Sequence, residues 1–299
     1  MKNETFRREG APLGSPPPVP TFLPAPRKSL GQHFLADRNI VRKIVRLAEL
    51  QPGETVVEVG PGRGILTEAL LEVSGSVVAI ELDKALSAHL RNTLGHHPNL
   101  KLIQGDALTF EYAKLAEPFL VVANLPYNIS TPLLFRLLKE QHRISRMVLM
   151  LQAEVASRLA AGPGGKDYGV LSIAAQFRCE VRKAFKVAAA CFQPPPQVES
   201  AVVILTPLPR PRVSVSDDAM FFKIVRAGFA HRRKALLNSL RDERFDAEKT
   251  RMALQQAGID PGRRAETLSI SEFATLANAL DGQLKARSLR DSGSSLCSE

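Results

Sequence analysis

The sequence predicts an α/β fold in which a mainly parallel sheet, covered by helices on both faces, is followed by a small all-helical domain. Four short apolar runs rich in β-branched residues each end in a polar or glycine-rich turn, as strands do, at residues 55–60, 76–81, 100–106 and 119–124. Between them apolar residues recur at helical spacing, as in the series Leu66, Ala69, Leu70 and Val73. Strands that alternate with helices predict βαβ units, whose strands run parallel.

Further elements are predicted on both sides of these strands. A helix before the first strand is indicated by apolar residues at i, i+3, i+4 and i+7, namely Val41, Ile44, Val45 and Ala48. After a Ser130–Thr131–Pro132 start signal, another helix is indicated by Leu133, Leu134, Leu137 and Leu138. Residues 147–152 and 198–206 have the composition of two more strands.

Helical periodicity without strand signals follows the proline cluster Pro207, Pro209 and Pro211, so a domain boundary is predicted there. Four regions result. Residues 1–26, with seven prolines, form a disordered extension; residues 27–207 form the sheet domain. Residues 208–282 form the helical domain, and residues 283–299 have too little apolar content to pack and are predicted to be a flexible tail.

Composition limits the class of protein. The net charge of +10 over 299 residues favours a polyanionic partner, although a merely basic soluble protein would have the same charge. Cys179, Cys191 and Cys297 are odd in number and lack Cys-x-x-Cys spacing, so neither disulfides nor a metal site is predicted. No apolar stretch approaches the ~20 residues of a membrane span, and no signal peptide is recognisable, so a cytoplasmic location is expected.

A glycine turn after the first strand predicts a nucleoside-binding site. Gly60, Gly62 and Gly64 stand between a strand and a helix, where the backbone can approach a ligand closely, as in Rossmann-like folds. Glu81 ends the next strand, where a carboxylate can accept both ribose hydroxyls, and Asp106, followed by Ala107, ends the third. Each feature alone is more often a turn, a strand end or a helix cap, but ligands bind at successive strand C-termini of α/β sheets.

The run Asn124, Leu125, Pro126 and Tyr127 at the end of the fourth strand predicts methylation of an aromatic amine. The lone pair of such an amine is delocalised into the ring, so two acceptors are needed to take its hydrogens and aim it. The Asn124 side-chain oxygen and the Leu125 carbonyl, fixed by Pro126, supply them. Tyr127 would stack on the extruded base. The alternative is a buried turn with a core tyrosine.

A second aromatic residue, Phe192, precedes Gln193 and the prolines Pro194–Pro196. The stiff proline segment would hold Phe192 against the other face of the base, or Phe192 is a core residue. No strong general base is required, because the nitrogen becomes acidic once it carries the methyl group.

These motifs together resemble the small-subunit (16S) ribosomal RNA adenine N6,N6-dimethyltransferases. The resemblance covers residues ~27–280 in six blocks: 28–35, 58–62, 124–132, 151–159 with 169–172, 192–200 and 231–240. It implies S-adenosylmethionine as methyl donor and dimethylation of two adjacent adenosines in a hairpin near the RNA 3′ end. It also implies a pre-ribosomal particle as partner, and a monomeric enzyme is expected.

The resemblance adds cofactor contacts that the motifs alone do not give. It places His33 and the backbone at Leu35 in the cofactor pocket, where the family often has Asn in place of His33. With the residues named above, the predicted cofactor-binding set is His33, Leu35, Gly60, Gly62, Glu81, Asp106, Ala107 and Asn124. The predicted catalytic set is Asn124, Leu125, Pro126, Tyr127 and Phe192.

A basic run in the helical domain is a candidate RNA-binding surface. Arg232, Arg233 and Lys234 interleave with leucines that pack inward, and Arg158 and Lys166 are further candidates. A run of this kind is usually only a solvated helix face. Three other functions stay open on the motifs alone: methylation of DNA, methylation of large-subunit RNA, and a non-catalytic assembly factor, against which intact Asn124, Tyr127 and Glu81 argue.

Overall fold

The computed structural model describes residues 24–27 and 30–293, with side chains through residue 282. In the sheet region the strands are β1 Phe34–Leu35, β2 Thr55–Val59, β3 Ser76–Glu81, β4 Leu100–Gln104, β5 Phe119–Asn124, β6 Ile144–Gln152, β7 Cys179–Val187, β8 Phe192–Gln193 and β9 Ser200–Pro207. The helices among them are α1 Arg38–Ala48, α2 Ile65–Leu71, α3 Lys84–Leu94, α4 Ser130–Lys139, α5 Ala153–Ala160 and α6 Val170–Arg178. Four more follow: α7 Asp218–Ala230, α8 Leu236–Asp242, α9 Ala247–Gln256 and α10 Ile270–Gly293.

Seven strands form one twisted sheet in the order β4-β3-β2-β5-β6-β9-β7. The pairings from β4 through β6 are parallel, and β9 pairs antiparallel with both β6 and β7. The predicted mainly parallel sheet is therefore confirmed, and all six predicted strands form with ends within three residues of the predicted ones. The two-residue strands β1 and β8 pair separately, with Leu35 opposite Phe192.

Strand β7 is not predicted by any pattern in the sequence. Its exposed residues are charged, for example Arg182, Lys183 and Lys186, and it lacks the apolar run of an interior strand. It is the last strand in the sheet order, and charged side chains are common on edge strands because they discourage pairing with another chain.

Both faces of the sheet are covered by hydrophobic layers. Alternate residues of β2 point to opposite sides, so Val57 and Val59 join one buried cluster while Val56 joins the other. The predicted apolar stripe of α2 holds except at its end: Val73 lies beyond the helix and is 48% exposed. The chain turns back there, because the Val73 amide donates to the Leu70 carbonyl at 3.1 Å.

The C-terminal helices pack around a third hydrophobic cluster, as predicted. That cluster also includes Tyr168, Ile173 and Phe177, which precede the predicted boundary at residue 207. Residues from both regions therefore pack in one hydrophobic cluster. Helix α10 continues to Gly293, past the predicted end of the helical domain at residue 282.

Several predictions fall on residues outside the described part of the chain. These are the extension before residue 24, the motif residues 28 and 29, Cys297, and the tail from residue 294 onward. Cys179 and Cys191 are free thiols. In the described ranges no helix is long and apolar enough to cross a membrane. Nor does any group of three or more His, Cys, Asp or Glu side chains there have an arrangement that would hold a metal ion.

Candidate active site

A solvent-open cavity lies at the carboxyl ends of β2, β3, β4 and β5. Its walls are the glycine turn after β2, the ends of β3 and β4, the segment after β5, and residues 30–35. Open α/β sheets bind ligands at this edge, because the loops there diverge around the strand ends. The residues predicted to bind the cofactor therefore line one cavity.

The glycine turn brings the backbone against two other parts of the site. Gly60 has φ 66°, and a Cβ there would lie 3.2 Å from the Pro126 ring. Gly62 has φ 59°, and a Cβ there would lie 2.9 Å from the Phe34 ring. Both positions favour glycine for its left-handed backbone and its missing side chain. The turn thus fits closely between residues 34 and 126.

Glu81 is 5% exposed and is fixed by two backbone donors. Its Oε1 accepts from the Asp83 amide at 2.8 Å and its Oε2 from the Gly62 amide at 3.1 Å. Burial raises the pKa of Glu81, and these hydrogen bonds oppose the shift. Each carboxylate oxygen has a second lone pair, so the side chain can accept further hydrogen bonds from a ligand in the cavity.

Asp106 and Ala107 line the cavity at the end of β4. The Asp106 Oδ1 accepts from the Leu108 amide at 2.8 Å, which fixes the carboxylate. Ala107 is buried, and its carbonyl accepts from the Tyr112 hydroxyl at 3.1 Å. No helix begins at Asp106, so the bond to Leu108 closes a turn rather than capping a helix, and it leaves the other carboxylate oxygen available to a ligand.

Glu58, beneath the glycine turn, is a buried acid with no predicted role. It is 2% exposed, and its Oε2 has no hydrogen-bond partner among the described residues. Burial raises the pKa of Glu58 to about 8; the nearby Thr67 hydroxyl opposes the shift without completing a hydrogen bond, and Glu81 adds to it. Glu58 therefore carries a proton at neutral pH.

Asn124 at the end of β5 has one half of its amide held and the other half free. Its Nδ2 donates to the His33 carbonyl at 3.2 Å, which sets the orientation of the group. Its Oδ1 is buried and has no hydrogen-bond partner in the described part of the protein. Buried acceptors are nearly always paired, so an unpaired one beside a cavity points to a ligand that donates a hydrogen.

Tyr127 is half-buried at the cavity and is held from two sides. Its hydroxyl lies 2.5 Å from the Ser200 Oγ, and its carbonyl accepts from the Ser130 Oγ at 3.1 Å. Its ring centroid lies 5.4 Å from that of His33, with the planes tilted by 32°. Burial raises the pKa of Tyr127, so the hydroxyl is neutral. Leu125 and Pro126 also line the cavity.

Residues 33 and 35 lie at the cavity, and Phe192 does not. His33 and Leu35 line the cavity, and the His33 Nδ1 lies 2.9 Å from the Pro194 carbonyl. Phe192 is 4% exposed and packs into the hydrophobic layer that contains Leu35. The prediction that its ring faces the base is not met, because the pairing of β1 with β8 turns the ring into the core.

Arg63 lines the cavity and has no predicted role. Its guanidinium carbon lies 4.6 Å from the Phe34 ring centroid. Its Nη1 donates to the Gln193 Oε1 at 3.4 Å and its Nη2 to the Pro24 carbonyl at 3.3 Å. Its Nε is buried and unpaired within the described ranges. The sequence does contain a signal for Arg63, because a positively charged residue directly follows the second glycine of the turn.

The predicted basic cluster is exposed, but most of its charges are already paired. Arg232 lies 3.6 Å from Glu266 and donates to the Lys166 carbonyl at 3.5 Å, so the segment of Lys166 meets the cluster. Lys234 lies 2.5 Å from Asp242. Arg233 is exposed and makes no ion pair with a described residue. Arg158 pairs with Glu154 on α5 and makes no ion pair or hydrogen bond with the three described residues of the cluster.

Comparison with known proteins gives concordant matches. The profile of the family described as ribosomal RNA adenine dimethylase matches residues 25–282. The Moorella thermoacetica protein named ribosomal RNA small subunit methyltransferase A is 49% identical over 266 residues, or 85% of this chain and 92% of that protein. The protein of the same name from Geobacter sulfurreducens is 46% identical over 261 residues, or 85% and 95%.

Two solved structures share the fold. A dimethyladenosine transferase from Plasmodium falciparum aligns with a TM-score of 0.70 and 27% identity, over 82% of this chain and 96% of that one. The 23S rRNA methyltransferase ErmE aligns with a TM-score of 0.65 and 28% identity, over 83% and 99%. The predicted Rossmann-like methyltransferase sheet with a helical C-terminal region is confirmed. The chain is a methyltransferase and belongs to the ribosomal RNA adenine dimethylase family.

Proposed function

We propose that this protein uses S-adenosylmethionine to dimethylate N6 of two adjacent adenosines in a hairpin near the 3′ end of small-subunit (16S) ribosomal RNA. The unpaired, buried Oδ1 of Asn124 beside the cavity carries the chemical part of the proposal. The choice of RNA is supported by relatives 49% and 46% identical that are named small subunit methyltransferases.

The polar groups that line the cavity match those of S-adenosylmethionine. Asp106 suits the adenine amine, Glu81 suits the ribose hydroxyls, and the glycine turn allows close backbone approach. His33, Leu35, Gly62, Ala107 and Asn124 complete the proposed cofactor-binding set. When bound, the cofactor would supply an electrophilic methyl group on a sulfonium, and the thioether would leave as a nitrogen attacks the methyl carbon.

The protein contributes alignment of the target amine. The Asn124 Oδ1 and the Leu125 carbonyl accept the two N6 hydrogens, which directs the nitrogen lone pair along the line of attack. The Leu125 amide donates to the Met150 carbonyl at 2.9 Å, and this bond holds the chain in place just before the Leu125 carbonyl. Tyr127 stacks on the extruded adenine, an interaction worth ~1–3 kcal/mol per base. The proton leaves N6 late, after methylation makes it acidic, so no histidine or cysteine base is needed.

The second methyl transfer depends on stacking more than the first. After one transfer N6 keeps a single hydrogen, so only one of the two acceptors is used. Tyr127 must then hold the base in place; Ser200 holds its hydroxyl and Ser130 its backbone carbonyl. Phe192 is packed in the core, so this positioning role falls on Tyr127.

We further propose that the helical region, residues 208–282, carries RNA contacts through Arg232, Arg233 and Lys234. Arg158 and Lys166 extend this surface toward the sheet domain, residues 27–207. Excess Arg and Lys bind RNA phosphates through counterion release. We infer that the substrate is RNA within a pre-ribosomal particle, and that the enzyme acts as a monomer in the cytoplasm.

Methyl transfer from labelled S-adenosylmethionine tests the proposal. Four substrates are compared: small-subunit particles that lack the modification, free small-subunit RNA, large-subunit RNA and duplex DNA. We expect label in the small-subunit particle and at most weak label elsewhere. The similarity to ErmE makes large-subunit RNA the strongest competitor. Label confined to large-subunit RNA or to DNA would overturn the assignment of the substrate.

A further inference from the structure

The strand order fixes the order of the polar groups along the cavity. Because β4, β3, β2 and β5 are neighbours in that sequence, Asp106, Glu81, the glycine turn and Asn124 follow one another along the edge. If Asp106 holds the adenine and Glu81 the ribose, the amino-acid portion of the cofactor lies between the glycine turn and Asn124. Arg63 belongs to this part of the wall.

Arg63 is the only arginine or lysine among the described residues that line the cavity. None of the described carboxylates lies within 4.0 Å of its guanidinium nitrogens. Its two hydrogen bonds go to neutral acceptors on Gln193 and Pro24, and its buried Nε has none. Partly buried charges are normally paired, so this cation lacks its counter-charge.

The other ionisable groups of the cavity make this cation important for an anionic ligand. Glu81 and Asp106 are acids, and they disfavour entry of a carboxylate. S-adenosylmethionine carries a carboxylate on its amino-acid portion, and a guanidinium pairs well with that group because its N–H donors form a planar fork.

We propose that Arg63 binds the carboxylate of the cofactor's amino-acid portion. The inference rests on the proposed function, because it takes S-adenosylmethionine as the cofactor. The Phe34 ring beneath the guanidinium holds it in place, at 4.6 Å from the centroid. The bonds to Pro24 and Gln193 hold it at the cavity wall from the other side.

A competing role is purely structural: Arg63 ties the chain at Pro24 and Gln193 to the glycine turn. Two ligands separate the roles in calorimetric titrations. S-adenosylhomocysteine has the carboxylate, and 5′-methylthioadenosine has the same nucleoside and sulfur without the amino-acid portion. For Arg63→Met we expect about tenfold or greater weakening of S-adenosylhomocysteine binding and a change of less than about twofold for methylthioadenosine. Arg63→Lys keeps the charge and should recover part of the loss.

Arg38 provides a matched control for Arg63. Arg38 pairs with Glu68 at 3.3 Å and does not line the cavity, so Arg38→Met should leave both affinities unchanged. Equal weakening of both ligands by Arg63→Met would show the structural role, and no weakening of either would show no role; both results contradict the inference. If the wild-type protein binds neither ligand, the proposed function itself fails.

Discussion

The cavity and the basic cluster at Arg232–Lys234 differ in whether their polar groups already have partners within the protein. In the cavity, Asn124 and Arg63 are held by neighbours and still have a buried polar atom with no described partner. In the cluster, Arg232 and Lys234 are exposed and already have acidic partners on the same chain. The cavity is thus built before its ligand arrives, whereas the cluster must exchange one set of ion pairs for another.

This difference predicts different energetics. A buried acceptor without a partner costs about 1–3 kcal/mol, and a ligand that donates a hydrogen recovers that free energy. An exposed ion pair contributes about 0–1 kcal/mol, so its exchange for a phosphate gains little and depends on salt. Substitutions in the cavity should therefore have large, local effects, and substitutions in the cluster small and additive ones.

The largest effect is expected for Asn124→Ala. Removing the Oδ1 acceptor should lower methyl transfer by roughly 10²–10³-fold, as expected for loss of a preorganised polar contact to the reacting group. Binding of RNA should change far less, and binding of S-adenosylhomocysteine should weaken by less than turnover falls, because Asn124 also belongs to the proposed cofactor-binding set. Single-turnover assays with titrations of both ligands measure this, with the exposed Asn39→Ala as control. Unchanged turnover would remove Asn124 from the chemistry.

Substitutions of Tyr127 rank next. Tyr127→Leu removes the stacking surface, so turnover should fall by roughly 5–150-fold, the equivalent of ~1–3 kcal/mol. The ratio of dimethylated to monomethylated product should fall as well, since in the second transfer N6 has only one hydrogen and uses only one of the two acceptors. Tyr127→Phe keeps the ring and loses only the bond to Ser200, and serves as the matched variant. If Leu and Phe behave alike, stacking is not the role of Tyr127.

Glu58 is predicted to affect the stability of the folded protein in a pH-dependent way. Burial raises the pKa of the folded carboxyl to about 8 from its ordinary 4.5. Between these values the folded state keeps a proton that the unfolded state releases, so the free energy of unfolding falls as pH rises. Glu58→Gln lacks this term, so its stability relative to wild type should increase from pH 5 to pH 8, by at most about 1.4 kcal/mol per pH unit.

Urea unfolding of both proteins at several pH values measures that difference. The exposed Glu72→Gln is the control, because no comparable burial acts on it. A difference that stays constant across this range would mean that Glu58 is ionised in the folded protein.

The smallest effects are expected in the basic cluster. Arg233, which has no described acidic partner, should contribute more to RNA binding than Arg232, which must first leave Glu266. Arg233→Ala should weaken RNA binding a few-fold and lower the salt slope by about 1, and Arg232→Ala should do less. Binding measured across a salt series tests this, with Arg251→Ala on α9 as control. The opposite ranking, or unchanged slopes for both, would place the RNA contacts elsewhere.

The sequence was informative where one local rule determines the structure. Apolar runs predicted the interior strands. The position of Asn124 directly after such a run predicted that it lies beside the cavity. β7 was missed because an edge strand needs no apolar run. The burial of Phe192 depends on the pairing of β1 with β8, and the free Nε of Arg63 depends on where Pro24 and Gln193 lie. Contacts between residues distant in the chain have no local pattern to reveal them.

Mass spectrometry of the RNA after reaction tests the central claim most directly. Small-subunit particles lacking the modification are incubated with S-adenosylmethionine and either the wild-type protein or Asn124→Ala, and the RNA is digested to nucleosides and to oligonucleotides. We predict N6,N6-dimethyladenosine at two adjacent positions of a hairpin near the 3′ end with the wild-type protein, and little or none with the variant. Methylation of another base or of another site, or equal product from both proteins, would contradict the account.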